Sequence, residues 1–540
     1  MCDAFPVHNH EDATRTKPTN HHAQVLGLEQ QNSYLPVPIH RLPVETLAEI
    51  FLLSKGCYAH SLLRLMSVCR SWRAIVLGIP NVWTNVRLST WTELDKVRFL
   101  LQRTRASLLN VEIDTAMDGH EVRSEARRFS ALKVAAMGAD KWRTLTITSF
   151  PSMLDIEAHL TPGTQSFTFG GRMDALESFR IKNPCENSIA FKRLLDVVSS
   201  SSHSKLRDME IMCLNAIYHF SQPKFASIFR RLVTFKVGAR NMHFEADILP
   251  YFERLETLEA HKLRLPSYPP DRDLSVVQTL KRIKLKAVSI EWMMGRVFPM
   301  VVECSITWPR QLEAFRKGVS LPACTSFTYK GRKPYLLSNA NLPQLTSLVV
   351  GNSVWNPKRG SEELVAPPVE RIESFGRQWT RLKTFHLDTL CRSKSMIAIL
   401  SLLPVLEELI LSITRPNALG RKFLTALMAS KSESPDGTTW TASLCPNLLT
   451  LNLRYKRRIR QSETDIIPCI LPCIIDSRKR TNTPLCIWIS MGDGACVGMC
   501  EDACGGGGIN GSGPQTFPSI GWDSRGSRYL KSTSYHLRPD

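Results

Sequence analysis

Three thiols at four-residue spacing, Cys496, Cys500 and Cys504, are the residues in this chain whose types could most readily do chemistry together. On a helix that spacing would set them along one face, where thiolates suit a soft metal. Zinc sites, however, use cysteine pairs two to four residues apart with a second pair or histidine some way off, and no such second pair follows. The next four residues are glycines, Gly505 to Gly508. No Lys-Ser or Lys-Thr comes after them, so they do not read as a phosphate-binding loop. The tail over 483–540 is expected to be low-complexity and disordered, with no metal and no cofactor.

The remaining reactive candidates are isolated. His8, His10, His21 and His22 lie in a polar leader over 1–35 whose spacing matches no metal site, and the leader is expected to be disordered. Cys69 has Arg70 and Arg73 beside it, the setting of some reactive thiols, but a cysteine inside an apolar helical pattern is most simply a small core residue. No G-x-S-x-G, H-E-x-x-H, Walker loop or kinase signature occurs. No catalytic residue is assigned, and the chain is expected not to be an enzyme.

Charge and cysteine usage narrow the class further. Lys and Arg outnumber Asp and Glu by 69 to 49 over 540 residues, a formal charge of +20. The two basic clusters, Arg454–Arg460 and Arg478–Arg480, are short and no compact basic domain surrounds them. A dispersed basic surface is therefore expected, with nucleic acid as the alternative partner through RYKRRIR. Fifteen cysteines are scattered, mostly singly, and the opening residues carry no apolar signal core. Both point to a reducing compartment, cytoplasmic and/or nuclear. The most apolar long window, Met396–Ile413, is interrupted by Pro404, Glu407 and Glu408, so no membrane span is expected.

The densest helical signals fall between Leu42 and Trp83. Pro43 suits a first helical turn, and Leu47, Ile50 and Phe51 recur along one face. Ser61 is positioned to cap a second helix bearing Leu62, Leu63 and Leu65. Ser67 is positioned to cap a third, from Val68 to about Leu77. Gly78 and Pro80 end it. Some forty residues have too little mass to bury so many large apolar side chains unaided. This block resembles an F-box, on Leu42-Pro43, Glu45, Leu47, Ile50-Phe51, Val68-Cys69-Arg70, Trp72-Arg73, Pro80 and Trp83. The resemblance implies a Skp-type linker protein as partner, and through it a cullin. By family position Leu42, Pro43, Glu45, Leu47, Ile50, Phe51, Val68, Cys69 and Trp72 would face that linker. The F-box is expected over 38–84 and a linker helix over 85–105, with Leu94, Val97, Leu100 and Leu101 on one stripe.

Beyond this the period changes. A triplet, apolar-x-x-apolar-x-apolar, recurs thirteen times, from Leu108, Val111, Ile113 to Leu448, Leu451, Leu453. The middle residues are spaced unevenly, from 21 apart (Lys284 to Ser305) to 42 apart (Ile410 to Asn452). The last three positions alternate in-out-in, as a half-buried strand does, and no single unit can bury its own face. The pattern resembles an irregular leucine-rich repeat over 106–482, with Ile466–Ile475 as a terminal cap. The expected fold is thus α/β: a small three-helix F-box followed by a leucine-rich-repeat-like solenoid between disordered termini. The resemblance implies a substrate-recognition adaptor of a Skp/cullin/F-box ubiquitin ligase, or an F-box scaffold acting outside a ligase. An unidentified protein target would lie on the outward row of the strands, at Arg180, Glu210, Lys236, Glu259, Lys284, His386 and Asn452, together with Thr146, Ser305, Thr328, Val349 and Ile410.

Overall fold

A computed structural model describes residues 41–53, 59–89, 94–114, 138–149, 173–182, 205–213 and 225–239, most of 244–307, and 318–331. It further describes 339–351, 379–388, 393–413, most of 420–455, 466–479, 485–491, 496–499, 516–522 and 528–534, with a few single positions. The expected leader, Cys500, Cys504 and Gly505–Gly508 lie outside these residues. The chain divides into two compact units, one of residues up to Val86 with Phe99–Ser107, the other of Arg87–Arg98 with Leu108 onward.

The first unit holds three helices, α1 (Val44–Leu53), α2 (Ala59–Val68) and α3 (Arg70–Gly78), then a 3-10 turn at Pro80–Trp83. The Leu47 N–H donates to the Pro43 carbonyl at 3.0 Å, closing the first turn of α1. Leu47, Phe51, Leu62, Ile75, Val76, Val82 and Trp83 are buried and form the core. The Trp83 indole N–H donates to the Val76 carbonyl at 2.9 Å. Phe99 meets Trp83 edge-on at 5.6 Å, and the Arg103 guanidinium lies 5.2 Å from the Phe99 ring centre. Two caps differ from expectation. Ser61 lies inside α2, and the Ser67 hydroxyl donates back to the Arg64 carbonyl. Cys69 takes the cap of α3, its sulfur accepting the Trp72 N–H at 3.4 Å. A hydroxyl bonded within its own turn leaves the next extended residue to meet the orphan donors.

The second unit is built on a sixteen-stranded sheet whose strands follow chain order. The last two positions of all thirteen triplets fall on its strands, and every one of them is buried. From Trp142–Ser149 to Glu408–Ile413 each strand pairs in parallel with the next of the sheet, core position against core position, as Ile283 does with Cys304 and Leu258. A second file of backbone bonds runs three residues before the outward row. Lys281 donates to Glu256, Val302 to Lys281, Thr325 to Val302 and Thr346 to Thr325, at 2.8 to 3.0 Å. Short helices such as Val276–Thr279 and 3-10 turns such as Leu249–Tyr251 return the chain. Longer ones, Ser393–Leu400, Gly420–Ala426 and Ile466–Lys479, do so toward the C-terminal end. Phe229, Phe235 and Phe252 interlock between repeats with ring centres 5.3 to 5.7 Å apart. No described helix is long and apolar enough to cross a membrane.

The sheet is longer than the triplets indicate. Asn85–Ser89, within the expected linker helix, is a strand, and the helix occupies only Leu94–Thr104. Trp83, Val86 and Leu88 repeat the triplet, so the alternation of Asn85–Ser89 decides the local structure. Cys486–Met491 adds a parallel strand beyond 482, with Ile487 and Ile489 inward. Its triplet opens on Pro484, which conceals it. Ile466–Lys479 is therefore the helix of a repeat and not the terminal cap. Cys496 lies on a strand, Cys496–Met499, paired antiparallel to Cys486–Met491, which removes the helical geometry that four-residue spacing suggested. A further hairpin, Thr516–Trp522 with Arg528–Ser534, stands in the expected tail.

Arg478 is wholly buried on the last long helix. Its Nε donates to the Leu427 carbonyl at 3.0 Å, and Nη2 to Leu444 and Cys445 at 2.7 and 3.1 Å. Nη1 reaches Pro446 at 3.3 Å. Leu427 directly follows the helix Gly420–Ala426, so a buried cation sits where orphan carbonyls and the negative dipole end converge. Cys445, in the turn held by these bonds, has a left-handed backbone, φ +49°. Arg478→Met should cost about 3 kcal/mol of stability, since it leaves buried carbonyls without donors; denaturant titration of the full chain checks this. Burial pushes the Cys324 and Cys445 thiols up to about 12 and raises Cys304 as well. An unfolded thiol ionises near 9, so this contribution is intact below that pH and is lost as pH rises toward 12. Urea midpoints should fall between about pH 8 and 10.5, and Cys324→Ala should flatten that fall.

Candidate functional site

The three-helix unit leaves part of its apolar surface uncovered. Leu53 is 87% exposed, Val68 59%, Val44 57% and Leu63 49%. On α1, Leu53 lies on the side opposite the buried Leu47 and Phe51, whereas Val44 shares their face and is exposed at the first residue of the helix. Apolar residues on the outer flank of such a helix contribute nothing to its own core.

The residues assigned to the partner surface from sequence separate into three groups. Pro43, Glu45, Val68 and Cys69 are exposed, and Leu42, Ile50 and Trp72 are half-buried. Leu47 and Phe51 are in the interior, 3% and 0% exposed, and are not surface contacts. The reason is the helical period, which turns them onto Leu62, Ile75 and Val76 of the same core. Phe51 instead supports the surface from beneath, with its ring 4.9 Å from that of Trp72. The Arg73 guanidinium donates to the Met66 carbonyl at 3.1 Å and fixes α3 against α2. Val44, Leu53 and Leu63 are also exposed and were not assigned to the partner surface from sequence; for Leu53 the signal was present, as a large aliphatic off the core stripe of α1.

On the second unit the outward residues form one aligned row. Thr146, Arg180, Glu210, Lys236, Glu259 and Lys284 face one another strand to strand. Ser305, Thr328, Val349, His386, Ile410 and Asn452 continue the row. Register adds Glu112 at one end and Trp488 at the other. The row changes character along its length. Arg180 to Lys284 alternates in sign, and its lysines meet carboxylates: Lys236 lies 3.5 Å from Glu259, and Lys284 lies 3.8 Å from Glu303. Such pairs are worth little in stability, about 0–1 kcal/mol, but they leave little net field. From Ser305 onward the only titratable side chain in the row is His386, whose Nε2 lies 3.3 Å from the Ser412 hydroxyl. Of RYKRRIR, Arg454 and Tyr455 end a strand of this sheet, and the rest lies outside the described residues.

Comparison with known families identifies an F-box-like domain at residues 39–89. No curated protein matches the chain at a significant level. F-box domains generally bind Skp-type proteins, so an interaction adaptor is the class of protein this domain supports. The burial pattern separates two kinds of change. Phe51→Ala should cost about 3–5 kcal/mol through a core cavity, whereas Leu53→Glu should stay within about 0.5 kcal/mol. Thermal or urea unfolding of the two variants measures this difference.

Proposed function

We propose that this chain is the substrate-recognition adaptor of a Skp/cullin/F-box-type ubiquitin ligase. The observation that carries the reading is the set of large aliphatics Val44, Leu53, Leu63 and Val68, left exposed on an F-box-like domain whose own interior is filled by Leu47, Phe51, Leu62, Ile75, Val76, Val82 and Trp83. Apolar side chains that the domain's own core does not use are available to a partner. The linker protein would cover them, with Leu42, Pro43, Ile50, Cys69 and Trp72 at its margin. The repeat sheet would hold the target, and the ligase would act through proximity, raising the effective concentration of a target lysine near a charged thioester. In this reading the chain contributes position and no catalytic group, and works in the cytoplasm and/or nucleus.

The sheet's alternating charges favour a protein target over nucleic acid. Phosphate binding needs uncompensated cations along a track, and Lys236 and Lys284 of the row meet the acidic Glu259 and Glu303. A buried interface anchor typically costs about 2 kcal/mol when removed, roughly thirtyfold in affinity. The Leu53→Glu, Val68→Glu double variant of the full chain should therefore lose co-purification with a Skp-type protein and cullin while keeping its unfolding midpoint. Leu42→Ala with Pro43→Ala should weaken it in the same direction. Undiminished recovery of the Skp-type protein by both variants would overturn the reading.

A further inference from the structure

Three rows of side chains face outward across the seven strands from Ser178–Ile181 to Ser326–Lys330, and charge is shared unequally among them. The first row sets Arg282 against Asp208 and Glu303. The second sets Arg180, Lys236 and Lys284 against Glu210 and Glu259. The third, at the C-terminal ends of the strands, holds Lys182, Lys286 and Lys330 and no carboxylate. Net charge therefore rises across the strands from −1 through +1 to +3.

The third row is continuous. Met212 is level with Gly238, Gly238 with His261, His261 with Lys286, Lys286 with Thr307 and Thr307 with Lys330. Lys182 directly follows Ile181, and its N–H donates to the Ile147 carbonyl at 2.9 Å, which carries that strand to the same level. Lys182 and Lys286 are exposed, and His261, Thr307 and Lys330 are half-buried. Between Lys182 and His261 the row is apolar. A methyl group at Gly238 would stand 2.7 Å from Met212 Sδ and 3.1 Å from His261 Cβ, so the thioether lies against the glycine. Past Lys330 the row crosses Gly351 and closes on Asp388, 3.8 Å from the Lys330 ammonium. With that carboxylate counted the row is still positive. Of the carboxylates in the other two rows, Glu259 lies 3.5 Å from Lys236 and Glu303 3.8 Å from Lys284, while Glu210 is level with Arg180 and Lys236 on either side.

We propose that the target lays an extended acidic segment along this third row, its carboxylates meeting Lys182 at one end and Lys286 and Lys330 at the other, with an uncharged residue over Met212 between them. The assignment rests on the target-receptor reading above and adds the chemistry of the target. Charge complementarity selects the occupant. Strands about 4.8 Å apart place successive lysines about 19 and 10 Å apart, and about nine extended residues cover that span. Separated cations suit separated carboxylates. A single phosphate would reach one lysine at a time, and the dense phosphates of nucleic acid would run against Glu210 and Glu259 of the adjoining row.

Fluorescence anisotropy of the full chain tests this, with a labelled peptide of about nine residues carrying Glu at every third position. The same peptide with Gln for each Glu is its control. The acidic form should bind at least about tenfold more tightly than the Gln form, and should weaken at least about fivefold between about 50 and 500 mM salt. Lys182→Glu with Lys286→Glu should lower its affinity at least about tenfold. Lys394→Glu with Lys422→Glu, the same change of charge on two return helices, should lower it less than about threefold. Lys286→Arg should retain binding. Equal binding of the Gln peptide, equal loss in the two lysine pairs, or tighter binding of a peptide with one phosphoserine and no Glu would overturn the proposal. So would a single-stranded DNA oligonucleotide that binds as tightly and depends equally on Lys182 and Lys286. The Leu53→Glu, Val68→Glu chain should bind the acidic peptide unchanged. Failure of linker docking with this binding intact therefore rejects the adaptor reading alone, and the converse rejects the row alone.

Discussion

The parallel pairing of each strand with the next is the interaction on which everything else in the second unit depends. A strand edge carries unpaired N–H and C=O groups, and in this sheet only the neighbouring repeat supplies their partners. The pairing holds core positions level from strand to strand, so the buried residues stack into one continuous interior. The preceding file of backbone bonds extends the registration beyond the strands themselves. Because register alternates inward and outward with period two, fixing the core also fixes the outward row. The surface offered to a partner is thus a by-product of the same bonds that hold the interior.

The three-helix unit follows a different logic. Its interior is closed by Phe51, Trp83 and their neighbours, and its surplus hydrophobic residues are distributed on the outside. Leu47 and Phe51 fill the interior between the helices, while Leu53 and Val68 provide accessible apolar surface. Support and contact are therefore divided between neighbouring positions of the same short helices, and one ring, that of Trp72, bridges the two roles by resting on Phe51.

Much of this was legible in the sequence, for physical reasons. Strand alternation with an apolar residue three places ahead leaves a strong trace, and all thirteen such traces are strands of the sheet. The outward row followed directly from that alternation. What escaped were strands whose opening position was disguised: Trp83 served the helical motif, and Pro484 is not among the aliphatic residues that mark the others. Motif position alone could not divide the helical block into core and rim, because the family pattern records residue types and not which way a helix is rotated. Nor could it reveal that Lys236, Glu259, Lys284 and Glu303 neutralise one another, since pairing depends on distance across strands.

Arg478 has a kinetic meaning as well as a structural one. Its bond to Leu427 joins residues 51 apart in the chain, so it closes a loop as a cross-link does. Stacked repeats contact only their neighbours, and such arrays lose structure most easily from an end. Peeling from the C-terminal side must release the buried guanidinium from its carbonyl cage early in the process. The arginine thereby acts as a latch on the lifetime of the array, guarding the strands beneath it against fraying and proteolytic attack. The closing strand, running in reverse, covers an edge of the last parallel strand, while the latch governs how often that end opens at all.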